Sequence, residues 1–77
     1  MIVYLDGEYR DGLTASVSIW DGGFLYGDGV YTTLRLYRGR PLDLAAHHDR
    51  LLRHAAALDL RVPVGRDRLA GIIAELA

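Results

Sequence analysis

Seventy-seven residues with nine basic and ten acidic side chains make one small domain of net charge −1, which offers no strong field for nucleic acid or an anionic membrane surface. The absence of cysteine excludes disulfides and thiolate metal sites and points to a reducing cytoplasm. A chain of this size buries only about 60% of its unfolded surface, so its stability is marginal and a partner is expected.

Met1 to Leu5 is apolar but far too short for a membrane span or a signal core, and it lacks a basic flank, so a soluble, untargeted chain is expected. Ile2 to Leu5 is β-prone, and Asp6-Gly7 before Glu8-Tyr9-Arg10 is the two-residue signal of an antiparallel hairpin. Asp11-Gly12 marks another turn, and the alternation of Ser16 to Trp20 predicts a brief strand. Four of the nine glycines then fall between Gly22 and Gly29, which predicts a tight connection using backbone conformations closed to residues with a Cβ.

From Val30 to Tyr37 the pattern has period two and predicts a strand. Val30, Thr32, Leu34 and Leu36 share one face; Tyr31, Thr33, Arg35 and Tyr37 share the other. Gly39 turns the chain, Pro41 limits pairing, and Asp43 is the expected N-cap of a helix running to about Leu58. Its apolar stripe is Leu44, Leu51, Ala55 and Leu58, while His47, Arg50 and His54, spaced by three and four, share one flank. Arg53 is expected on the opposite flank, in solvent. Pro63 ends this unit, and Leu69, Ile72, Ile73 and Leu76 predict a second amphipathic helix. The sequence stops within that helical pattern, as a truncated chain would.

Gly27-Asp28-Gly29 alone reads as a turn, because it lacks both the third glycine of a dinucleotide fingerprint and the lysine of a phosphate loop. Arg50 is the stronger functional candidate, since a guanidinium offers a rigid fork of donors matching phosphate oxygens; the plain alternative is a solvated surface charge. Tyr31 and Thr32 are candidate substrate-facing residues, although ordinary β-propensity also accounts for them, and alternation sends them to opposite faces. His47, His48 and His54 spread round one helix and cannot converge on an ion, so no metal site is assigned, and they are expected to hydrogen-bond or orient neighbouring structure. Asp21 and Asp28, set among glycines, are expected to bond turn amides.

Taken in order, WDGGFLYGDGVYTTLR from Trp20 to Arg35 and, twelve residues on, His47-His48-Asp49-Arg50-Leu51 closely resemble the opening of the class IV aminotransferases. These are pyridoxal-phosphate enzymes of the D-amino-acid, branched-chain and aminodeoxychorismate lyase type. The resemblance implies that Arg50, in the His-x-x-Arg-Leu element, contacts the cofactor phosphate, and that Tyr31 and Thr32 sit where the family turns side chains toward cofactor and substrate. Tyr31-Thr32-Thr33 is more similar to the lyases than to the transaminases, and Gly22 departs from the arginine often found there.

The resemblance spans the family's smaller N-terminal domain, residues 1–77, and implies an α+β fold: a two-layer sandwich of mostly antiparallel sheet covered by two helices. It also implies a small amino-acid or aminodeoxychorismate substrate, a missing C-terminal domain and a homodimer in the full-length form. All nine basic residues are arginine, so the chain has no lysine to form the Schiff base with pyridoxal phosphate. No catalytic residue is therefore assigned, and the chain alone is expected to be inactive. The competing expectation is a non-catalytic binding or dimerisation module retaining the half-fold.

Overall fold

The computed structural model describes residues 1–77. Strands β1 (Ile2–Leu5) and β2 (Glu8–Asp11) form the expected hairpin, pairing antiparallel from Leu5 opposite Glu8 to Ile2 opposite Asp11. Asp6 and Gly7 both take positive φ, 52° and 83°, the conformation that lets a two-residue turn follow the twist of its strands. Tyr4 and Tyr9 face each other across the pair and stack with ring centroids 5.0 Å apart. Beyond β2, the Asp11 carboxylate accepts from the Leu13 amide at 3.0 Å, completing the expected turn.

Two predicted strands require correction. Ser16 to Trp20 forms none: Ser18 Oγ accepts from the Trp20 amide at 3.0 Å and the Ser18 carbonyl from the Asp21 amide at 3.1 Å. These local bonds fold the backbone into a turn and compete with any ladder. Of the strand expected over Val30–Tyr37, only β3 (Leu36–Tyr37) is paired, with β4 (Arg40–Pro41), because no other strand lies beside residues 30–35. Arg38 and Gly39 make the turn at φ 50° and 77°, and Pro41, lacking an N–H, sits at the end of the two-residue ladder. The period-two signal is nonetheless physical: Val30, Thr32 and Leu34 are half-buried while Tyr31, Thr33 and Arg35 are exposed.

The glycine-rich connection contains a short helix, α1 (Gly22–Tyr26), absent from the sequence reading. Asp21 caps it by accepting from the Gly23 amide at 2.9 Å, and Gly27 ends it at φ 70°, in the left-handed region. Helix α2 (Leu44–Ala57) begins directly after Asp43, as expected, but by a different means. Asp43 lies at φ 56° and its side chain makes no capping bond; its carbonyl instead accepts from the His47 amide at 3.0 Å. Helix α3 is Arg66–Leu76.

The α+β character holds, with two separate two-stranded antiparallel sheets and three helices. Helix α3 packs on α2, β1 and β4, and the buried core is confined to that junction: Ala55 at 2% exposure, Ile72 at 6% and His48 at 7%. Leu58 leaves the expected stripe because α2 ends at Ala57 and turns it outward, while His48, four residues after Leu44, takes an inward place. His48 Nε2 donates to the Val64 carbonyl at 3.1 Å, tying α2 to the strap that precedes α3.

Removing that donor loses a part-buried hydrogen bond, at about 0.5–1.5 kcal/mol. His48→Ala is therefore expected to lower stability by about that amount, with His48→Gln recovering part because its amide can occupy the Nε2 position. Urea titration of the three proteins measures it, and equal midpoints for His48→Ala and the wild type would remove His48 from the account of stability.

The body is a slab of 37 × 31 × 17 Å. It exposes 6381 Å², where a compact protein of its mass shows about 4,700 Å². Trp20, at 79% exposure, and Phe24 and Tyr26 of α1 account for part of that apolar excess.

Candidate anion site on helix α2

His47, Arg50 and His54 are carried on one flank of α2 by their spacing, and the extended segment Gly29–Thr33 crosses beside them. Gly29, Val30, Tyr31, Thr32 and Thr33 line one side of a shallow cleft whose other side is Arg50 and His54. The alternation noted in the sequence turns Thr32 toward α2 and leaves Tyr31 85% exposed at the mouth.

Thr32 meets two side chains of the helix. Its Oγ1 lies 2.7 Å from His47 Nδ1 and 2.6 Å from Arg50 Nη2, and that same Nη2 is 3.3 Å from His47 Nδ1. An arginine only donates, so Thr32 Oγ1 accepts from Arg50, and the same Nη2 approaches His47 Nδ1 as a donor approaches an acceptor, which leaves the Thr32 proton to point at Nδ1. His47 Nδ1 is then an acceptor, which places the ring proton on Nε2.

Arg50 has no carboxylate partner; the one ion pair in the chain joins Arg10 to Glu8 at 2.9 Å. Its guanidinium is thus not paired with a carboxylate, with Nη2 anchored and Nη1 and Nε free of protein partners. A fixed, uncompensated guanidinium at the edge of a cleft can receive an anion, and phosphate matches its fork.

Of the sequence-derived candidates, Thr32 and Arg50 are brought into direct contact, while Tyr31 borders the same cleft without a hydrogen bond. His54 also borders it, and His48 is elsewhere, in the core. No three His, Asp or Glu side chains gather where an ion could sit. Asp21 bonds a turn amide as expected, whereas the Asp28 side chain makes no such bond. Arg53 is not remote: it borders a second hollow together with Asp43, His47 and Arg50. The role of His47 as acceptor for Thr32 escaped the sequence reading, because fifteen residues separate them and only the crossing of the extended segment over α2 joins them.

The pattern of the family Amino-transferase class IV matches residues 29–77. A protein of Methanocaldococcus jannaschii bearing the name of a branched-chain-amino-acid aminotransferase is 37% identical over 75 residues, covering 97% of this chain and 26% of its own length. A D-alanine aminotransferase of Staphylococcus haemolyticus is 32% identical over 74 residues, covering 96% and 26% respectively. An aminodeoxychorismate lyase of Bacillus subtilis is 36% identical over 75 residues, covering 97% and 26%. The chain spans about a quarter of the length of these relatives.

Proposed function

The chain belongs to the class IV aminotransferase family, and from that membership we propose that it supplies the small N-terminal domain of a pyridoxal-phosphate-dependent aminotransferase or aminodeoxychorismate lyase. The observation that carries this reading is Arg50: an uncompensated guanidinium, anchored by Thr32 and bordered by Gly29, in the His-x-x-Arg-Leu element for which the resemblance implies a contact with the cofactor phosphate. The donor set fits a phosphate group. Bound there, the cofactor would supply an electron-withdrawing ring that stabilises negative charge developing on an amino-acid carbon.

What the chain's own residues contribute is binding and shape. Arg50 holds the phosphate, and Tyr31 with Thr32 forms part of the wall met by the substrate, a small amino acid or aminodeoxychorismate. The exposed phenol at the cleft mouth supports that assignment of Tyr31. No side chain of the 77 residues can bind the cofactor covalently as a lysine would, so the proton-moving group is assigned to a C-terminal domain.

The excess exposed surface supports two further parts of the reading. In a chain of the relatives' length the hairpins and helices close into a two-layer sandwich, and two such chains form a homodimer. No helix is long and apolar enough to cross a membrane, and the cysteine-free composition supports a cytoplasmic location.

A chimera tests the proposal: residues 1–77 replace the corresponding quarter of the S. haemolyticus D-alanine aminotransferase or of the B. subtilis lyase. The expected result is a dimer by sedimentation that retains pyridoxal phosphate through dialysis and turns over the substrate of whichever relative supplied the remainder. A chimera that dimerises yet neither retains cofactor nor turns over would favour the non-catalytic module.

A further inference from the structure

We propose that His47 is a positioning residue for anion binding, acting through the Thr32 hydroxyl to fix the Arg50 guanidinium; the inference rests on the phosphate reading of Arg50. Three observations carry it. The contacts are short and mutually consistent, 2.7 Å from Thr32 to His47 and 2.6 Å from Arg50 to Thr32. The directions are mutually consistent: the guanidinium only donates, its Nη2 approaches both Thr32 Oγ1 and His47 Nδ1, and with Nδ1 an acceptor the hydroxyl proton is directed at it. Finally, Thr32 and His47 are half-buried whereas Arg50 is exposed, so the order of the pair is imposed from the inside outward.

The physical consequence concerns entropy and direction. A free surface arginine loses several rotamers when it grips a ligand, and prior anchoring removes part of that cost. Thr32 suits the anchor because a β-branched side chain has few χ1 states, so its oxygen stays in place. His47 then decides which way the hydroxyl points. With its proton directed at Nδ1, the oxygen turns a lone pair to Arg50 Nη2, leaving Nη1 and Nε for the anion. Without the acceptor at 47 the hydroxyl is free to rotate, and its proton can oppose the guanidinium it should hold.

Purely structural cohesion is a separate matter. Val30 and Leu34, half-buried on the same face as Thr32, already seat the extended segment. Losing the polar relay should therefore change how the phosphate is held more than whether the segment is held.

The test titrates pyridoxamine phosphate, which has no aldehyde to react with the Met1 amine, into the chain and follows the amide signals of Gly29 to Thr33 and the Arg50 Nε–H signal by NMR. Pyridoxamine without phosphate is the parallel ligand. The wild type is expected to favour the phosphorylated ligand, and Arg50→Ala to abolish that preference. Thr32→Val and His47→Leu should each weaken the phosphorylated ligand about threefold to tenfold more than they weaken pyridoxamine, the range for one hydrogen bond.

Rescue separates this from a general loss of packing: Thr32→Ser restores the hydroxyl, and His47→Asn places an amide oxygen close to the Nδ1 position. Both should return toward wild-type preference. Thr32→Val is nearly isosteric, so the comparison stands on it if His47→Leu unfolds. Wild-type preference in both Thr32→Val and His47→Leu, with Arg50→Ala still defective, would overturn the inference and spare the reading of Arg50. Ser and Asn variants as weak as Val and Leu would also overturn it. A wild type showing no phosphate preference overturns both.

Discussion

The 77-residue chain, supplied with pyridoxal phosphate and D- or L-amino acids or aminodeoxychorismate, is expected to give no turnover above a cofactor-only control. Enzymes of ordinary competence accelerate their reactions on the order of a millionfold or more, so the assay has ample range to reveal even a poor catalyst. The reason is compositional. All nine basic side chains are guanidinium groups, which stay protonated and do not act as nucleophiles toward the cofactor aldehyde. Only the Met1 α-amine can react, and it immediately precedes β1, on the hairpin that packs against α3. Borohydride reduction with mass mapping should therefore find any adduct on Met1, in equal yield from wild type and Arg50→Ala. Turnover that depends on Arg50 would instead mean that another group on this chain does the chemistry, and the division of labour proposed above would fall.

The parts of the fold that were legible in the sequence are those set by local chemistry. Asp6-Gly7 specifies a hairpin whatever surrounds it, and Leu69, Ile72 and Ile73 keep their places on the inner side of α3 because helical spacing alone puts them there. The failures have the opposite origin. Val30 to Arg35 alternates as a strand does and is extended, but a strand also needs a neighbour, and alternation carries no information about one. Asp43 marks the start of α2 correctly while its side chain caps nothing, since the backbone enters in the left-handed region. His48 does what is expected of the histidines, donating to the Val64 carbonyl, and it does so from within the apolar stripe because of its spacing from Leu44, Leu51 and Ala55. At the site, Arg50 and Thr32 were each singled out from sequence, whereas their contact depends on a crossing that no local pattern encodes.

Arg50→Ala is expected to weaken retention of pyridoxal phosphate by roughly tenfold to a hundredfold in a chimera of the relatives' length carrying residues 1–77. A charge-assisted guanidinium–phosphate contact contributes about 1.5–3 kcal/mol, and each 1.4 kcal/mol is about tenfold in binding. The magnitude belongs at the upper end only if the guanidinium is both charged and prepositioned, and the structure supplies both conditions. No carboxylate competes for Arg50, and Thr32 holds Nη2 at 2.6 Å, leaving the other donors for the phosphate. Arg50→Lys should recover part of the loss, because an ammonium keeps the charge but not the fork, and cannot share its donors between Thr32 and a phosphate in the same geometry. Arg53 is too close to serve as a control, as it borders a hollow shared with His47 and Arg50. Arg66, exposed at the start of α3, is the better one. Cofactor absorbance remaining after timed dialysis ranks the proteins, and raising the ionic strength should narrow the gap between wild type and Arg50→Ala, since salt screens a partly exposed contact. Equal retention by Arg50→Ala and Arg66→Ala would show that the phosphate is held elsewhere, and the unpaired guanidinium on α2 would then be an ordinary solvated charge.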